Sequence, residues 1–328
     1  MIFKNYFLNL FSGFFFGLSS GLFSKLLFLS MAFISSAAFS KPLILTSTPD
    51  LKWLVEQITQ DFAEVDSLLS GEEDVHYMEA LPSFVIKASN ADMVCFMGLS
   101  LEAAWLPKVI QKSANSQIQS GAKGNCDASK YVEVEGKIEG GVDRSMGDVH
   151  AEGNPHYQLS PRQMSFASQS ILETLAGLYP EKSAEFQSNH QKLKSELNQL
   201  SAELQELFQQ LPKSASFMEY HKDFIYFFKE FSLKSWGAVE ELPGVAPSAA
   251  FLAGRAEFAK KQKVSLVLTA KHHPVSYMKQ FQKLSQVPYI AVNTSLTDKT
   301  EIQGYAKFLR NLSREIVHKI NLRHVESQ

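Results

Sequence analysis

The chain has 328 residues, of which 45% are hydrophobic and 20% are charged, and its formal net charge is −2. This balance excludes extended disorder and argues against a protein that binds the phosphate backbone of nucleic acids. The chain is too long for one ordinary hydrophobic core, so we expect two domains.

The first 40 residues differ in composition from the rest of the chain. They carry two lysines and no acidic residue, and an almost unbroken apolar run covers residues 26–34. Small residues follow this run up to Ser40, which is the pattern of a secretory signal peptide at residues 1–40. We expect cleavage near Ser40 and no stable membrane insertion of the mature chain. An uncleaved membrane anchor is the alternative.

Strand-like and helical segments alternate in the next part of the chain. Short apolar runs predict strands, and amphipathic runs predict the helices between them. The predicted strands are residues 43–47, 64–69 and 92–97, and the predicted helices begin near Leu51, Pro82 and Glu102. This alternation indicates crossover units and a parallel sheet.

Residues 114–155 interrupt the alternation. They are rich in glycine and poor in large apolar residues, so we interpret them as a mobile loop within an N-terminal lobe at residues 41–179. Cys126 lies in this loop, whereas Cys95 lies in an apolar strand. An exported chain could pair the two cysteines. The sequence does not show that they meet, and we expect Cys95 to be a buried, unpaired residue.

A long helix is predicted at residues 181–211. Its apolar residues recur with heptad spacing, at positions 186, 193, 197, 200, 204, 207 and 211. A coiled-coil dimer arm is one interpretation. Because strand–helix alternation restarts directly afterwards, we favour a spine helix at residues 180–212 that joins two lobes of a monomer.

Residues 213–328 repeat the pattern of the first half. Strands are predicted at residues 215–220, 234–239, 264–269 and 288–292, with helices between and after them. The chain is therefore predicted to have an α/β fold of two similar lobes with parallel sheets, joined by one long spine helix. Ligands of such sheets bind beyond the carboxyl ends of the strands, so we expect a site in the cleft between the lobes.

Three histidines are predicted to reach this cleft. His76 follows a strand of the first lobe, and His221 follows directly on a strand of the second. His156 lies in a loop that ends at a helix start, where Ser160 can cap the helix and Pro161 takes the first helical position. A shared metal site is the hypothesis, and a solvated loop residue is the alternative for His156.

The residues around these histidines resemble the zinc- and manganese-binding solute-binding proteins of ABC importers. The family's first histidine segment resembles Asp-Val-His…Pro-Ser at residues 74–83, and its second resembles Pro-His-Tyr-Gln-Leu-Ser-Pro within residues 153–161. Its third segment matches Tyr-His-x-x-Phe-x-Tyr-Phe at residues 220–227, and residues 243–248 are similar to a loop in part of the family. The resemblance covers residues 41–322, in the same order.

The resemblance implies that His76, His156 and His221 are metal ligands. It further implies a periplasmic protein that captures Zn²⁺ between its lobes and delivers it to the membrane permease of an ABC importer. Three neutral imidazoles favour Zn²⁺ over Mn²⁺, which prefers carboxylates.

Three other functions are weighed against zinc delivery. A manganese binder on the same scaffold is one. A binder of a metal chelate or haem is another, with Phe224, Tyr226, Phe227 and Phe228 lining its pocket. A zinc hydrolase is disfavoured because the sequence lacks a His-Glu-x-x-His helix, so we do not expect an enzyme.

The sequence does not identify the fourth metal ligand. The family usually supplies a carboxylate just after the last strand, where this chain has Asn293, whose neutral amide is a poor zinc ligand. The alternatives are Asp298, Glu240, His272, His273 and a water molecule. The family's long loop often carries many histidines, whereas here it holds only His150. His150 is a candidate transient ligand, although we favour an exposed bystander.

Overall fold

Two parallel sheets, one in each half of the chain, organise the computed structural model, which describes residues 40–138, 150–297 and 304–326. Residues 1–39 of the expected signal peptide and Asp298 lie outside the described residues. From Pro42 onward the chain forms one compact unit, so the lobe boundaries near residues 179 and 212 stay a prediction. Within the described residues, no helix has the length and apolar character needed to cross a bilayer.

Each sheet has four strands, and the two sheets share one strand order. The first sheet contains β1 (Leu43–Thr46), β2 (Glu64–Ser67), β3 (Met93–Phe96) and β4 (Asn125–Asp127), ordered β2-β1-β3-β4. The second contains β5 (Phe217–Glu219), β6 (Ser235–Ala238), β7 (Leu266–Ala270) and β8 (Tyr289–Val292), ordered β6-β5-β7-β8. Every strand pair is parallel. The predicted repetition of the first half by the second is thereby confirmed.

Nine α-helices of the described residues connect and flank the strands. They are α1 (Pro49–Thr59), α2 (Pro82–Ser89), α3 (Leu106–Ser113), α4 (Pro161–Leu178), α5 (Ser183–Phe208), α6 (Ile225–Glu230), α7 (Ala249–Lys261), α8 (Val275–Ser285) and α9 (Gly304–Glu326). All five residues of β7 are buried, as expected for a strand of a parallel sheet that is covered on both faces.

The interpretation of residues 114–155 as one long loop is wrong for part of that range. Asn125–Asp127 forms β4, the edge strand beside β3, and a 3₁₀ turn follows at Ala128–Tyr131. The strand is too short to produce a periodic sequence signal. The in-register neighbours Cys95 and Cys126 form a disulfide, so the expectation of an unpaired Cys95 is also wrong. Adjacent parallel strands bring together two residues that sequence spacing could not relate.

The predicted spine helix is α5, and its apolar stripe is buried within the same chain. The buried members of the stripe are Phe186, Leu193, Leu197, Leu200 and Leu204, whereas the predicted members Leu207 and Leu211 are half-buried and Phe208, which was not predicted, is buried. Near its start, the ring of Phe186 lies 5.3 Å from that of Phe62 in the first half. At its end, the ring of Phe208 lies 5.4 Å from that of Phe227 in the second half. The helix therefore packs against both halves, which favours the spine over a dimer arm.

Candidate metal centre

His76 lies in a 3₁₀ turn, Val75–Tyr77, that follows β2. The side chain of Asp74 caps this turn by accepting a hydrogen bond from the backbone N–H of His76 at 3.1 Å. Asp74 Oδ1 also lies 2.9 Å from Nδ1 of the His76 ring. Burial alone raises the pKa of Asp74, but the hydrogen bonds and charge of His76, together with the charge of His272, outweigh burial and lower the pKa to about 2. An ionised carboxylate thus fixes the ring and leaves Nε2 to face the cluster.

His156 is held by a loop whose path depends on Gly153. Gly153 has φ +124°, and a Cβ there would lie 2.0 Å from Val134 Cγ1, so no side chain fits. The side chain of Asn154 accepts a hydrogen bond from the His156 N–H at 2.9 Å and donates one to the Lys222 carbonyl at 2.8 Å. The loop that carries His156 is therefore tied to the residue beside His221.

The helix start predicted after this loop is confirmed. The Ser160 side chain accepts a hydrogen bond from the Gln163 N–H at 3.2 Å, and Pro161 is the first residue of α4. On the other side, the hydroxyl of Tyr157 donates to the Met97 carbonyl at 2.8 Å, just beyond β3. His156 is thus held between the first sheet and α4.

His221 comes two residues after β5, and a carboxylate lies behind its ring. Nδ1 of His221 is 2.9 Å from Oε2 of Glu240, which follows β6. Burial alone lowers the pKa of His221, but the carboxylates of Asp223 and Glu240 outweigh it and raise the pKa to about 9. Glu240 therefore orients His221 through the nitrogen that faces away from the cluster, rather than acting as a fourth ligand itself.

The structure brings the three predicted histidines together. Ring centroids are 5.1 Å apart for His76 and His156, 5.3 Å for His156 and His221, and 5.7 Å for His76 and His221. His150 joins them, with its Nε2 3.1 Å from Nε2 of His76. One ring nitrogen from each of His76, His150 and His156 lies within 4.8 Å of the others. The interpretation of His150 as an exposed bystander is wrong, because it is half-buried within the cluster.

The Nε2 atom of His156 is the clearest sign of a metal ligand. It is buried and has no hydrogen-bond partner among the described residues. Burial, reinforced by the neighbouring His76 and His221, holds the pKa of His156 well below its usual range. The ring is therefore neutral, and its unpaired nitrogen is free to bind a cation. Buried polar atoms normally have partners, so a ligand at this nitrogen would account for the exception.

Asp223 is the cluster residue that the sequence reasoning missed. Its Oδ1 lies 3.9 Å from Nδ1 of His156, and one of its oxygens lies within 4.8 Å of ligand nitrogens of both His156 and His221. Its Oδ2 is buried without a hydrogen-bond partner among the described residues. The available signal was a carboxylate two residues beyond a predicted ligand. Asn293 instead lines a separate pocket with Lys271, Asn311 and Glu315.

Two further predictions concern side chains near the cluster. His272 and His273, which were candidate fourth ligands, group instead with Asp74, with one ligand atom of each within 4.8 Å of the others. The aromatic residues proposed to line a haem pocket are buried in the core, and they are Phe224, Tyr226, Phe227 and Phe228. These four side chains therefore pack the core and are not available to line a haem pocket.

Comparison with known proteins gives a consistent family. Residues 44–319 match the model of the family described as "ZnuA: Zinc-uptake complex component A periplasmic". The zinc-binding lipoprotein AdcA of Streptococcus pneumoniae is 28% identical over 213 residues, which are 65% of this chain but 42% of AdcA. The chain thus spans less than half the length of that relative. The zinc-binding protein TroA of Treponema pallidum is 23% identical over 271 residues, 82% of this chain and 78% of TroA.

Solved structures share the fold. A crystal structure of ZnuA aligns with a TM-score of 0.71 at 22% identity, over 85% of this chain and 99% of that one. The structure of the periplasmic zinc-binding protein TroA from Treponema pallidum aligns with a TM-score of 0.71 at 21% identity, over 86% and 99%. The two-sheet α/β architecture predicted from the sequence is therefore confirmed.

Proposed function

Because this chain belongs to the ZnuA family, described as the periplasmic component A of zinc-uptake complexes, we propose that it is an exported binding protein for Zn²⁺. In this proposal His76, His156 and His221 are the permanent ligands, and the bound ion is delivered to the membrane permease of an ABC importer. The protein performs no chemical reaction; it binds the ion and releases it.

The observation that carries the proposal is the buried, unpartnered Nε2 of His156 within a group of imidazoles. Zinc accepts imidazole nitrogen at about 2.0–2.1 Å and requires the neutral ring. Carboxylates at the outer nitrogens of His76 and His221 are the arrangement that orients zinc-binding histidines and makes them more basic.

Manganese is the alternative ion. A relative named as a manganese ABC transporter substrate-binding lipoprotein, PsaA of Streptococcus pneumoniae, is 23% identical over 78% of this chain. Asp223 adds a carboxylate, which Mn²⁺ prefers, but the imidazoles of the cluster outnumber it. We therefore expect Zn²⁺ to displace Mn²⁺ when both are present. A competition experiment with the two ions at equal concentrations measures this displacement.

The test is a zinc titration of metal-free protein and of His76→Ala, His156→Ala and His221→Ala. Each substitution should weaken zinc binding by more than about 100-fold, since loss of an outer partner alone typically costs about 10–100-fold. His318→Ala is the matched control, because His318 is an exposed histidine of α9 outside the groups of potential ligands. Parental affinity in all three cluster variants would refute the proposed site.

A further inference from the structure

A second group of metal-binding side chains lies beside the histidine cluster. Asp74, His272 and His273 each offer one ligand atom, and these atoms lie within 4.8 Å of one another. His272 is exposed, whereas Asp74 and His273 are half-buried. The group therefore faces solvent more than the inner cluster does.

The end of β7 positions the two histidines. β7 ends at Ala270, whose carbonyl accepts a hydrogen bond from the His273 N–H at 3.2 Å. α8 then begins at Val275, after Pro274. Because β7 lies next to β5 in the sheet, the pair projects from the same edge as His221. The rings of His221 and His273 are 5.6 Å apart.

The ring of His273 packs against that of Tyr220, with centroids 5.1 Å apart, but hydrogen bonds do not account for the two histidine rings. Nδ1 of His273 has only a long contact of 3.4 Å to the hydroxyl of Thr269, and it lies 3.7 Å from Oδ2 of Asp223. That Asp223 oxygen is itself buried and lacks a hydrogen-bond partner among the described residues. The ring of the exposed His272 contacts that of His273, with ring centroids 4.5 Å apart.

Two adjoining pockets connect this group to the inner cluster. The outer pocket has a volume of about 440 Å³, and its lining includes Asp74, His272 and His273 as well as His76, His221 and Glu240. The inner pocket shares Asp74, His76 and His272 and continues to His156 and Asp223. An ion bound by the outer group would therefore lie at the mouth of the inner site.

We propose that Asp74, His272 and His273 form a second Zn²⁺ site at this mouth, with water completing the coordination. Two imidazoles and one carboxylate with an open position are a common zinc ligand set. Ligands at about 2.0–2.1 Å from a tetrahedral ion lie roughly 3.4 Å apart, so the three side chains need only small rotations. Asp74 contacts His76 as well, so one carboxylate serves both sites.

The mouth site is inferred from its own residues, whereas its role as a first binding position for incoming zinc rests on the proposed function. An ion held there has to pass only the residues that line both pockets, which are Asp74, His76 and His272, to reach the inner cluster. The sequence motif that accounts for it is the His272–His273 pair, which begins two residues after β7 ends at Ala270.

The experiment is isothermal titration of purified, metal-free protein with Zn²⁺, with bound metal counted by elemental analysis. The parent should bind two ions, one tight and one weaker. The double variant that combines His272→Ala and His273→Ala should bind one ion with the parental tight affinity. The single variant His272→Gln should lower the affinity for the second ion by roughly tenfold or more. His318→Ala is the control and should still bind two ions. His156→Ala should lose the tight ion and keep the weaker one.

The possible failures distinguish the two proposals. One ion in the parent, or two in the double variant, overturns the mouth site and leaves the inner site untouched. Tight binding that survives in His156→Ala overturns the inner assignment instead. Because His272 is exposed and the mostly buried His273 makes only one long side-chain hydrogen bond within the described residues, the double variant should fold, and an unchanged thermal midpoint of the metal-free protein verifies this. Co²⁺ provides a second readout, since its visible absorption should show two binding phases in the parent and one in the double variant.

Discussion

Replacing Glu240 with glutamine measures how much the carboxylate behind His221 strengthens the metal site. Oε2 of Glu240 lies 2.9 Å from Nδ1 of His221, and a glutamine oxygen can still accept this hydrogen bond, but without the negative charge. Loss of such a partner typically lowers metal affinity by about 10–100-fold, which corresponds to about 1.4–2.8 kcal/mol of binding free energy.

Competition with protons opposes this loss near neutral pH. The pKa of His221, lowered by burial alone, is raised to about 9 by Asp223 and Glu240. Below that pH the ring of the metal-free protein is protonated, and zinc must displace the proton, which costs about 2 kcal/mol at pH 7.5. Glu240→Gln lowers this pKa and reduces the cost. We therefore expect the variant to show the full loss of affinity above about pH 9 and a smaller loss near pH 7.5.

Competition titrations against a chromophoric chelator, at constant ionic strength, give the affinity at both pH values. Calorimetry in two buffers of different ionisation enthalpy counts the protons released, and the parent should release about one from His221 near pH 7.5. Glu241→Gln is the matched control, because Glu241 is the exposed neighbour of Glu240. An affinity ratio that is the same at both pH values, or an equal loss in the control, would refute the reasoning.

Four other predictions follow from the fold. Leu204→Ala should lower the free energy of unfolding by about 2–5 kcal/mol in denaturant titrations, since Leu204 is fully buried, whereas the exposed Glu206→Ala should change it by less than about 0.5 kcal/mol. Burial raises the pKa of Glu102 to about 7. The protonated Glu102 side chain therefore contributes to the free energy of unfolding below about pH 4.5, and this contribution is lost as the pH rises to about 7. Glu102→Gln should remove up to about 3 kcal/mol of this pH dependence. Replacing both Cys95 and Cys126 by alanine should cost about 3–4 kcal/mol, because the disulfide spans 31 residues; an unchanged denaturation midpoint would contradict this. Zinc should slow amide exchange around residues 150–156 and leave residues 183–208 unchanged, because α5 packs against both halves; large, uniform changes in α5 would contradict a rigid spine.

The sequence predicted long periodic elements well because each buries a repeating apolar face. The heptad stripe of residues 181–211 became α5 at Ser183–Phe208. The Ser160 cap and Pro161 marked the start of α4 to the residue. Both signals are local, so a single sequence contains them completely.

Features that depend on contacts between distant segments were missed. β4 has three residues and exists because it pairs with β3, which also brings Cys126 beside Cys95. His150 reaches His76 across 74 positions of sequence. The sequence reasoning considered a carboxylate after the last strand, where Asn293 stands, and also Glu240 and Asp298, but not Asp223 in the turn after His221. In each case the deciding partner lies on another segment of the chain.

If the proposed mouth site binds a second ion, the charges around the histidines should set the order in which the two ions bind. Asp74, Asp223 and Glu240 lie 2.9–3.9 Å from ring nitrogens of the inner histidines. If all the rings are neutral, these three negative charges more than balance one Zn²⁺, and the first ion leaves an excess of about one negative charge. A second ion reverses the sign of the total, so repulsion from the inner ion opposes its binding. Solvent also weakens the attraction between an ion and the carboxylates more at the exposed mouth than inside the buried cluster. The mouth ion should therefore bind more weakly and exchange faster than the inner ion. Fast exchange is what transfer of an ion from the mouth to the inner cluster requires.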